Sequence, residues 1–299
     1  MNVALVTCIK NENMYLKEFL DYYTNLGVDA IYLIDNNSDD GENAYDFVSQ
    51  NYWNNNTGNH IFIISDFKNN NDNGRQLKMY NDAYFLLHEK YDVLLFFDID
   101  EYLWLKKDKD IHEYLSRDCF KEYDTILVNW LMYDDNDLIY YEDKPLNERF
   151  TRPRYDMYNS QTTNVLNGKR SIVYLNQLKT NFNYTYKSIV FTNKNPNNIY
   201  FFTNHIIFHL NSKICTNSGN LFYEISDINS IPNFYALDTY WQFNESLAVL
   251  KHFRYKTIEE FIKFKIKQES FTVGYDPFEF FNNGNYLTKE KLEYLQNYI

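Results

Sequence analysis

Two aspartates separated by one isoleucine are the residues here best suited to chemistry: Asp98 and Asp100 in Phe96-Phe97-Asp98-Ile99-Asp100-Glu101-Tyr102. An apolar run leads straight into three acids. In extended backbone alternate side chains share a face, so the two aspartates are expected to point one way while Ile99 points back into the protein. Two neighbouring carboxylates repel each other unless a cation lies between them. Hard divalent cations take oxygen ligands and bridge carboxylates to phosphates. The pair therefore reads as part of a metal site that a diphosphate would complete. A solvated strand end is the plainer alternative for so short a motif. Its place after a buried strand, where α/β sheets bind ligands, favours the metal reading. Glu101 falls on the other face, either behind the site or in solvent.

The elements around this motif alternate. Val3–Ile9, Ala30–Ile34, His60–Ser65, Val93–Phe97 and Thr125–Trp130 are short apolar runs that read as strands. Between them lie helical patterns. The first has Asn11 as a possible cap, apolar positions Tyr15, Leu16, Phe19, Leu20 and Tyr23, and Gly27 just past its end. Glu42–Gln50 and Arg75–Lys90 supply two more. The order predicts a mostly parallel sheet with helices on both faces and ligands at the strands' carboxyl ends. Residues 131–240 hold short β-like pieces rich in Tyr, Phe and Asn. Helical periods return at Thr257–Gln268 and Thr288–Tyr298.

Composition narrows the function classes. The 299 residues carry a net charge of −12, which argues against wrapping nucleic acid, since phosphate neutralisation needs surplus Lys and Arg. Cys8, Cys119 and Cys215 have no paired spacing, which fits a reducing compartment. No apolar run approaches the roughly 20 residues that span a bilayer, and the start lacks a leader pattern. A cytoplasmic protein is expected. Lys263, Lys265 and Lys267 opposite Ile258, Phe261, Ile262 and Phe264 could make peripheral contact with an anionic membrane, or be a solvated helix face.

Several blocks in order resemble one family. Lys10-Asn11-Glu12, Tyr15-Leu16-Lys17-Glu18-Phe19, Ile34-Asp35-Asn36-Asn37-Ser38-Asp39-Asp40 and Phe97-Asp98-Ile99-Asp100-Glu101-Tyr102 are similar to the glycosyltransferase family 2-like and family 92 group of GT-A enzymes. Trp130-Leu131-Met132-Tyr133, Asn147-Glu148-Arg149-Phe150, Lys187-Ser188-Ile189-Val190, His205 and His252–Phe261 extend the resemblance over roughly residues 2–268. Where many members have a Gly-Ser-rich turn, this chain has Asp134-Asp135-Asn136-Asp137. The resemblance implies a GT-A, Rossmann-like α/β fold. Residues 1–130 would bind the nucleotide sugar, and 131–299 would form a smaller mixed β/α half for the acceptor. It also implies inverting transfer of a sugar from a nucleotide diphosphate donor. That donor is expected to be a UDP-sugar, with galactose one candidate. The cofactor would be a divalent cation, Mn or else Mg, and the acceptor a glycan or lipid-linked sugar.

Roles follow residue by residue. Asp98 and Asp100 are the expected metal ligands, with His252, which opens the basic run His252, Arg254, Lys256, as first choice for a third and His205 as second. Thr7, Cys8 and Lys10 after the first strand, and Asp35 and Asn36 after the second, are candidates for nucleotide contacts; Asp35 could instead be a turn acid. Arg75, Gln76 and Tyr80, with Ile99, fall near the donor by the same resemblance. Arg149 and Lys187 could meet the diphosphate. Inverting transfer needs a general base. Glu148 is the candidate, with Asp134, Asp135 and Asp238 as rivals, and Glu148–Arg149 could equally be an ion pair. Trp130, Tyr133, Tyr158, Trp241 and Phe243 could form a sugar platform. Two other readings stand beside this one: a nucleotidyltransferase on a similar fold, and a non-catalytic sugar- or partner-binding scaffold.

Overall fold

The computed structural model describes residues 1–38, 43–58, 60–65, 75–153, 161–166, 169–174, 186–193, 198–201, 203, 205–227, 246–262 and 288–297. Asp238, Tyr158, Trp241, Phe243 and the lysine-bearing stretch 263–268 lie outside them. In chain order the elements are β1 (Val3–Ile9), α1 (Asn13–Leu26), β2 (Ala30–Asp35), α2 (Ala44–Asn51), β3 (Ile61–Ser65), α3 (Arg75–Leu87), β4 (Val93–Phe96), β5 (Glu101–Leu105), α4 (Ile111–Leu115), β6 (Thr125–Met132) and α5 (Leu146–Arg149). Then come β7 (Gln161–Leu166), β8 (Lys169–Tyr174), β9 (Tyr186–Phe191), β10 (Ile199–Phe201), β11 (Ile207–His209), β12 (Ser212–Thr216), β13 (Leu221–Ile225), β14 (Ala248–His252), α6 (Ile258–Phe261) and α7 (Lys289–Gln296).

The expected α/β architecture is present. β1, β2 and β4 are apolar runs buried on both faces, the pattern that parallel strands adopt. They pair in parallel in the order β3-β2-β1-β4, with Leu5 opposite both Ile31 and Leu95. Beyond β4 the sheet changes. β9 runs antiparallel between β4 and β6, so the fifth expected strand does not adjoin the fourth. β12 and β13 continue outward, while β14 pairs with β6 and β5 pairs with β14.

Helices cover both faces. On one, Met79, Tyr80, Ala83, Tyr84 and Leu87 of α3 pack on Ala4, Val6, Tyr32, Ile34, Leu94 and Phe96. On the other, Tyr23 of α1 lies against Phe97 and Phe19 against Tyr102. Gly27 closes α1 at φ 89°, the left-handed position predicted for it. The expected cap at Asn11 is not formed. Asn11 itself is left-handed at φ 57°, its amide donates to Ser38 Oγ, and Glu12 precedes the first turn instead. α2 and α7 begin where Asn43 and Thr288 accept hydrogen bonds from Asp46 N and Lys291 N.

Two compact units interleave along the chain, whereas the expected halves divide it once. The first joins Met1–Leu131 to Tyr155–Lys251; the second joins Met132–Arg154 to His252–Ile299. The first contains most of the large sheet. The second is held by two buried ion pairs. Arg149 meets Glu260 at 2.8 Å, and Lys291 meets Asp135 at 2.6 Å, all four side chains being almost fully enclosed. Thr257 and Glu260 form a capping box at the start of α6, so Glu260 serves the cap and the ion pair at once. Among the described residues no helix is long and apolar enough to cross a membrane.

His209 on β11 is fully enclosed, with Nε2 3.1 Å from Tyr84 Oη. Burial pushes its pKa down to about 4. The unfolded chain, with an ordinary histidine near 6.5, therefore takes up the proton first. Stability from this group is present above about pH 6.5 and is lost as pH falls towards 4, on the order of 3 kcal/mol in all. Urea unfolding of His209→Gln should show a shallower loss across that window than the wild type. Equal slopes would mean that His209 is not buried in its neutral form.

Candidate functional site

The Asp-Ile-Asp segment ends the last of the four parallel strands, but not in extended form. β4 stops at Phe96, and the Glu101 amide donates to Asp98 O at 3.0 Å, closing a turn over residues 98–101. The expectation that alternation along a strand aligns the two aspartates is corrected on this point. It is a turn, with Ile99 buried as its apolar anchor, that presents them. The two carboxylates differ in setting. Asp100 is half-buried; the Asp98 side chain retains 24% exposure and is tied down on both oxygens.

Those ties come from three elements. From α3, Gln76 Nε2 donates to Asp98 Oδ1 at 2.6 Å and Tyr80 Oη donates to the same oxygen at 3.0 Å. From β9, Lys187 Nζ donates to Oδ2 at 2.7 Å. Glu101 closes the turn from below: its Oε2 accepts from the Asp98 amide at 2.7 Å and lies 3.7 Å from Lys187 Nζ. Lys187 and Glu101 are both wholly buried. Among the described residues Glu101 Oε1 has no hydrogen-bond partner. α1 fixes the chain after the turn, since Tyr23 Oη donates to Glu101 O at 2.7 Å and accepts from Leu103 N at 3.1 Å.

Electrostatics follow from this geometry. Burial works to raise the Asp98 pKa, but Lys187 and then His205 outweigh it and hold the carboxyl below its usual range. Burial pushes Glu101 well above the ordinary value, with Lys187 pulling back against it. Burial opposes charge on Lys187 too, yet Asp98 and Glu101 overcome it and hold the ammonium above its usual value. The turn thus carries an ionised Asp98 locked to a charged lysine.

The residues present fit a hard cation in part. Among the described residues no group of three or more His, Cys, Asp and Glu side chains is arranged to hold a metal ion. Asp98 and Asp100 lie in one turn, and Glu101 Oε1 is a buried oxygen with nothing bonded to it. A cation held by two carboxylates, with water and phosphate oxygens completing its shell, is the usual arrangement for Mg.

The other expected residues divide as follows. His205 is close enough to Asp98 to lower its pKa, and its ring meets Trp130 edge-on at 5.2 Å. His252 belongs to the second unit, where its carbonyl accepts from Tyr133 N. At the ends of β1 and β2, Thr7 is buried with Oγ1 unpartnered, while Cys8, Lys10 and Asn36 are half-buried. Asp35 Oδ1 accepts from Ser38 N and Ser38 Oγ at 3.0 and 2.7 Å, the turn-acid arrangement. Arg75 opens α3, one residue before Gln76. In the second unit Glu148 is exposed on α5. Its neighbour Arg149 pairs with Glu260 rather than with it. Asp134 meets Arg152 at 2.9 Å, and Asp135 is the buried partner of Lys291.

Two side chains of the turn were only partly legible in the sequence. Glu101 reads either as lying behind the site or as facing solvent, and Lys187 as a diphosphate contact rather than a partner of Asp98. A signal for Lys187 does exist: one lysine in the fully buried strand Tyr186–Phe191 requires a buried acceptor. Tyr23 carries no such signal, because its spacing is that of a core residue.

No known family profile matches the chain, and no curated protein sequence matches it. Solved structures resemble it more distantly. S. aureus TarS in complex with UDP shares 14% identity over 64% of this chain and 47% of that one, with a TM-score of 0.36. The mannosyltransferase PcManGT from Pyrobaculum calidifontis, in complex with GDP-Man and Mn2+, shares 13% over 60% and 46%, with a TM-score of 0.31. The bifunctional glycosyltransferase WbbM shares 11% over 64% and 32%, with a TM-score of 0.32. In each case the chain spans less than half of the other's length.

The second unit offers its own test. Asp135→Asn removes the closer of two carboxylates from buried Lys291, leaving the half-exposed Asp137 at 3.6 Å, and should cost about 3 kcal/mol in denaturant unfolding. Lys291→Met should cost a similar amount. The double variant Asp135→Leu/Lys291→Met should lose clearly less than the sum of the single losses; strict additivity would mean that the pair does not interact.

Proposed function

We propose that this chain is a cation-dependent, inverting glycosyltransferase that moves a sugar from a nucleotide diphosphate donor, a UDP-sugar first among them, to a hydroxyl of a glycan or lipid-linked acceptor. The observation that carries the reading is the Asp98–Glu101 turn at the carboxyl end of β4, locked by Lys187, Gln76 and Tyr80. Parallel α/β sheets bind ligands at that end. The ordered sequence resemblance around Asp98 and Asp100 supports the same chemistry.

In this reading Asp98 and Asp100 hold the cation, Mn or Mg, with His205 beside Asp98 as a candidate further ligand and His252 as the other. When bound, the cation offsets the negative charge that gathers on the leaving diphosphate. Thr7, Cys8, Lys10, Asp35 and Asn36 form the nucleotide contacts, with Arg75 at the start of α3. Gln76, Tyr80 and Lys187 act through Asp98, fixing its carboxylate before substrate arrives. Such preorganisation favours the transition state because no reorganisation is left to be done during the reaction. Glu148 is the base that takes the acceptor's hydroxyl proton. Asp135 is a weaker candidate, since Lys291 occupies its carboxylate, and Asp134 is engaged by Arg152.

Thermal-shift measurements with UDP, GDP and CDP, with and without Mn, test the reading. A ligand at about 100 times its dissociation constant stabilises by roughly 2.7 kcal/mol. UDP is expected to raise the melting temperature only when Mn is present, and Asp100→Ala should abolish the shift. A chain that responds to no nucleotide would support the scaffold reading instead. Glu148→Gln should keep the shift while losing at least about a hundredfold in turnover of a UDP-sugar. Retained turnover would remove Glu148 from the role.

A further inference from the structure

Lys187 occupies the place beside Asp98 where a metal cation would be expected to exert its charge. Its ammonium lies 2.7 Å from Asp98 Oδ2 and 3.7 Å from Glu101 Oε2, fully enclosed on β9. Burying a lysine among carboxylates is costly unless its charge is compensated, and here the compensation comes chiefly from Asp98. A divalent cation binding at Asp98 would repel that ammonium at short range. Lys187 needs a second acceptor within a small displacement, and one is at hand. Glu101 Oε2 is 3.7 Å from its Nζ, and Glu101 Oε1 makes no hydrogen bond among the described residues, although its partner oxygen holds the Asp98 amide.

We propose that Lys187 is a resident placeholder for the cation, bound to Asp98 while the site holds no metal and handed to Glu101 when the metal arrives. The proposal rests on the cation-dependent reading above and adds a device to it. The placeholder keeps the two aspartates from repelling each other in the empty turn, so the ligands are already oriented when cation and diphosphate arrive. Glu101 and Lys187 are positioning residues in this scheme. Neither needs to touch the substrate.

The device predicts opposite effects from two substitutions. Lys187→Gln removes the competing charge, so Mn should bind the nucleotide-free chain more tightly, on the order of tenfold. Glu101→Gln turns the carboxylate into a neutral amide, a poorer acceptor for the Lys187 ammonium. Lys187 then stays on Asp98, and Mn should bind more weakly by a similar factor. The readout is the electron paramagnetic resonance signal of free Mn during titration of the full chain, which needs no turnover. A residue that only supports the fold would weaken binding in both variants or change neither, and either result overturns the proposal. Should a variant fail to fold, crystals of the wild type with Mn and UDP decide. Lys187 Nζ is expected to leave hydrogen-bond reach of Asp98 and enter that of Glu101; an ammonium still on Asp98 beside bound metal refutes the hand-over. If the wild type takes up no Mn with or without UDP, the cation-dependent reading fails and the placeholder with it. If it takes up Mn but the variants do not diverge, only the placeholder fails.

Discussion

The contact between Lys187 and Asp98 governs the candidate site. It joins a strand that is buried on every side to a turn that opens at the sheet's carboxyl end. A buried ion pair is seldom a net source of stability, since hydrophobic replacements of similar shape often serve as well or better. What the pair does supply is position. Asp98 is drawn one way by Lys187 and the other by Gln76 and Tyr80, and Glu101 holds its backbone. With donors on both oxygens, the side chain has little rotational freedom left.

Two helices from opposite faces reinforce the same turn. Tyr80 on α3 reaches the carboxylate, while Tyr23 on α1 grips the backbone just beyond it through Glu101 O and Leu103 N. Both phenols are buried tyrosines whose hydroxyls need partners, and the turn provides them. The packing of the sheet and the geometry of the acids are therefore one problem with a shared solution. A change in how either helix sits would be felt at Asp98 without altering any acidic residue.

Local patterns in the sequence report the parallel part of the fold well. β1 to β4 and α1 to α3 follow from apolar runs, helical spacing and the stop at Gly27, because each of those signals is written within about twenty residues. The antiparallel entry of β9 between β4 and β6 is not legible in this way, because pairing across some ninety residues leaves no local period. The short strand β5 was hidden by the turn before it. Charge was the hardest property to read. Asp135, Arg149, Glu260 and Lys291 look like surface or catalytic residues in isolation, yet each is enclosed and matched by an opposite charge far away in sequence. Asp98 and Asp100 were legible as a pair, but the backbone form that presents them was not, since a turn and a strand end share the same apolar approach.

The antiparallel strand has one more consequence. The counter-charge for Asp98 is encoded 89 residues after it. A ribosome that has released only the first five strands of the alternating half has therefore made the acids but not the base that neutralises them. Until β9 pairs with β4, Asp98 has its Gln76 and Tyr80 donors but not the ammonium of Lys187. The neighbour of β4 and the cationic partner of Asp98 thus arrive on one and the same strand.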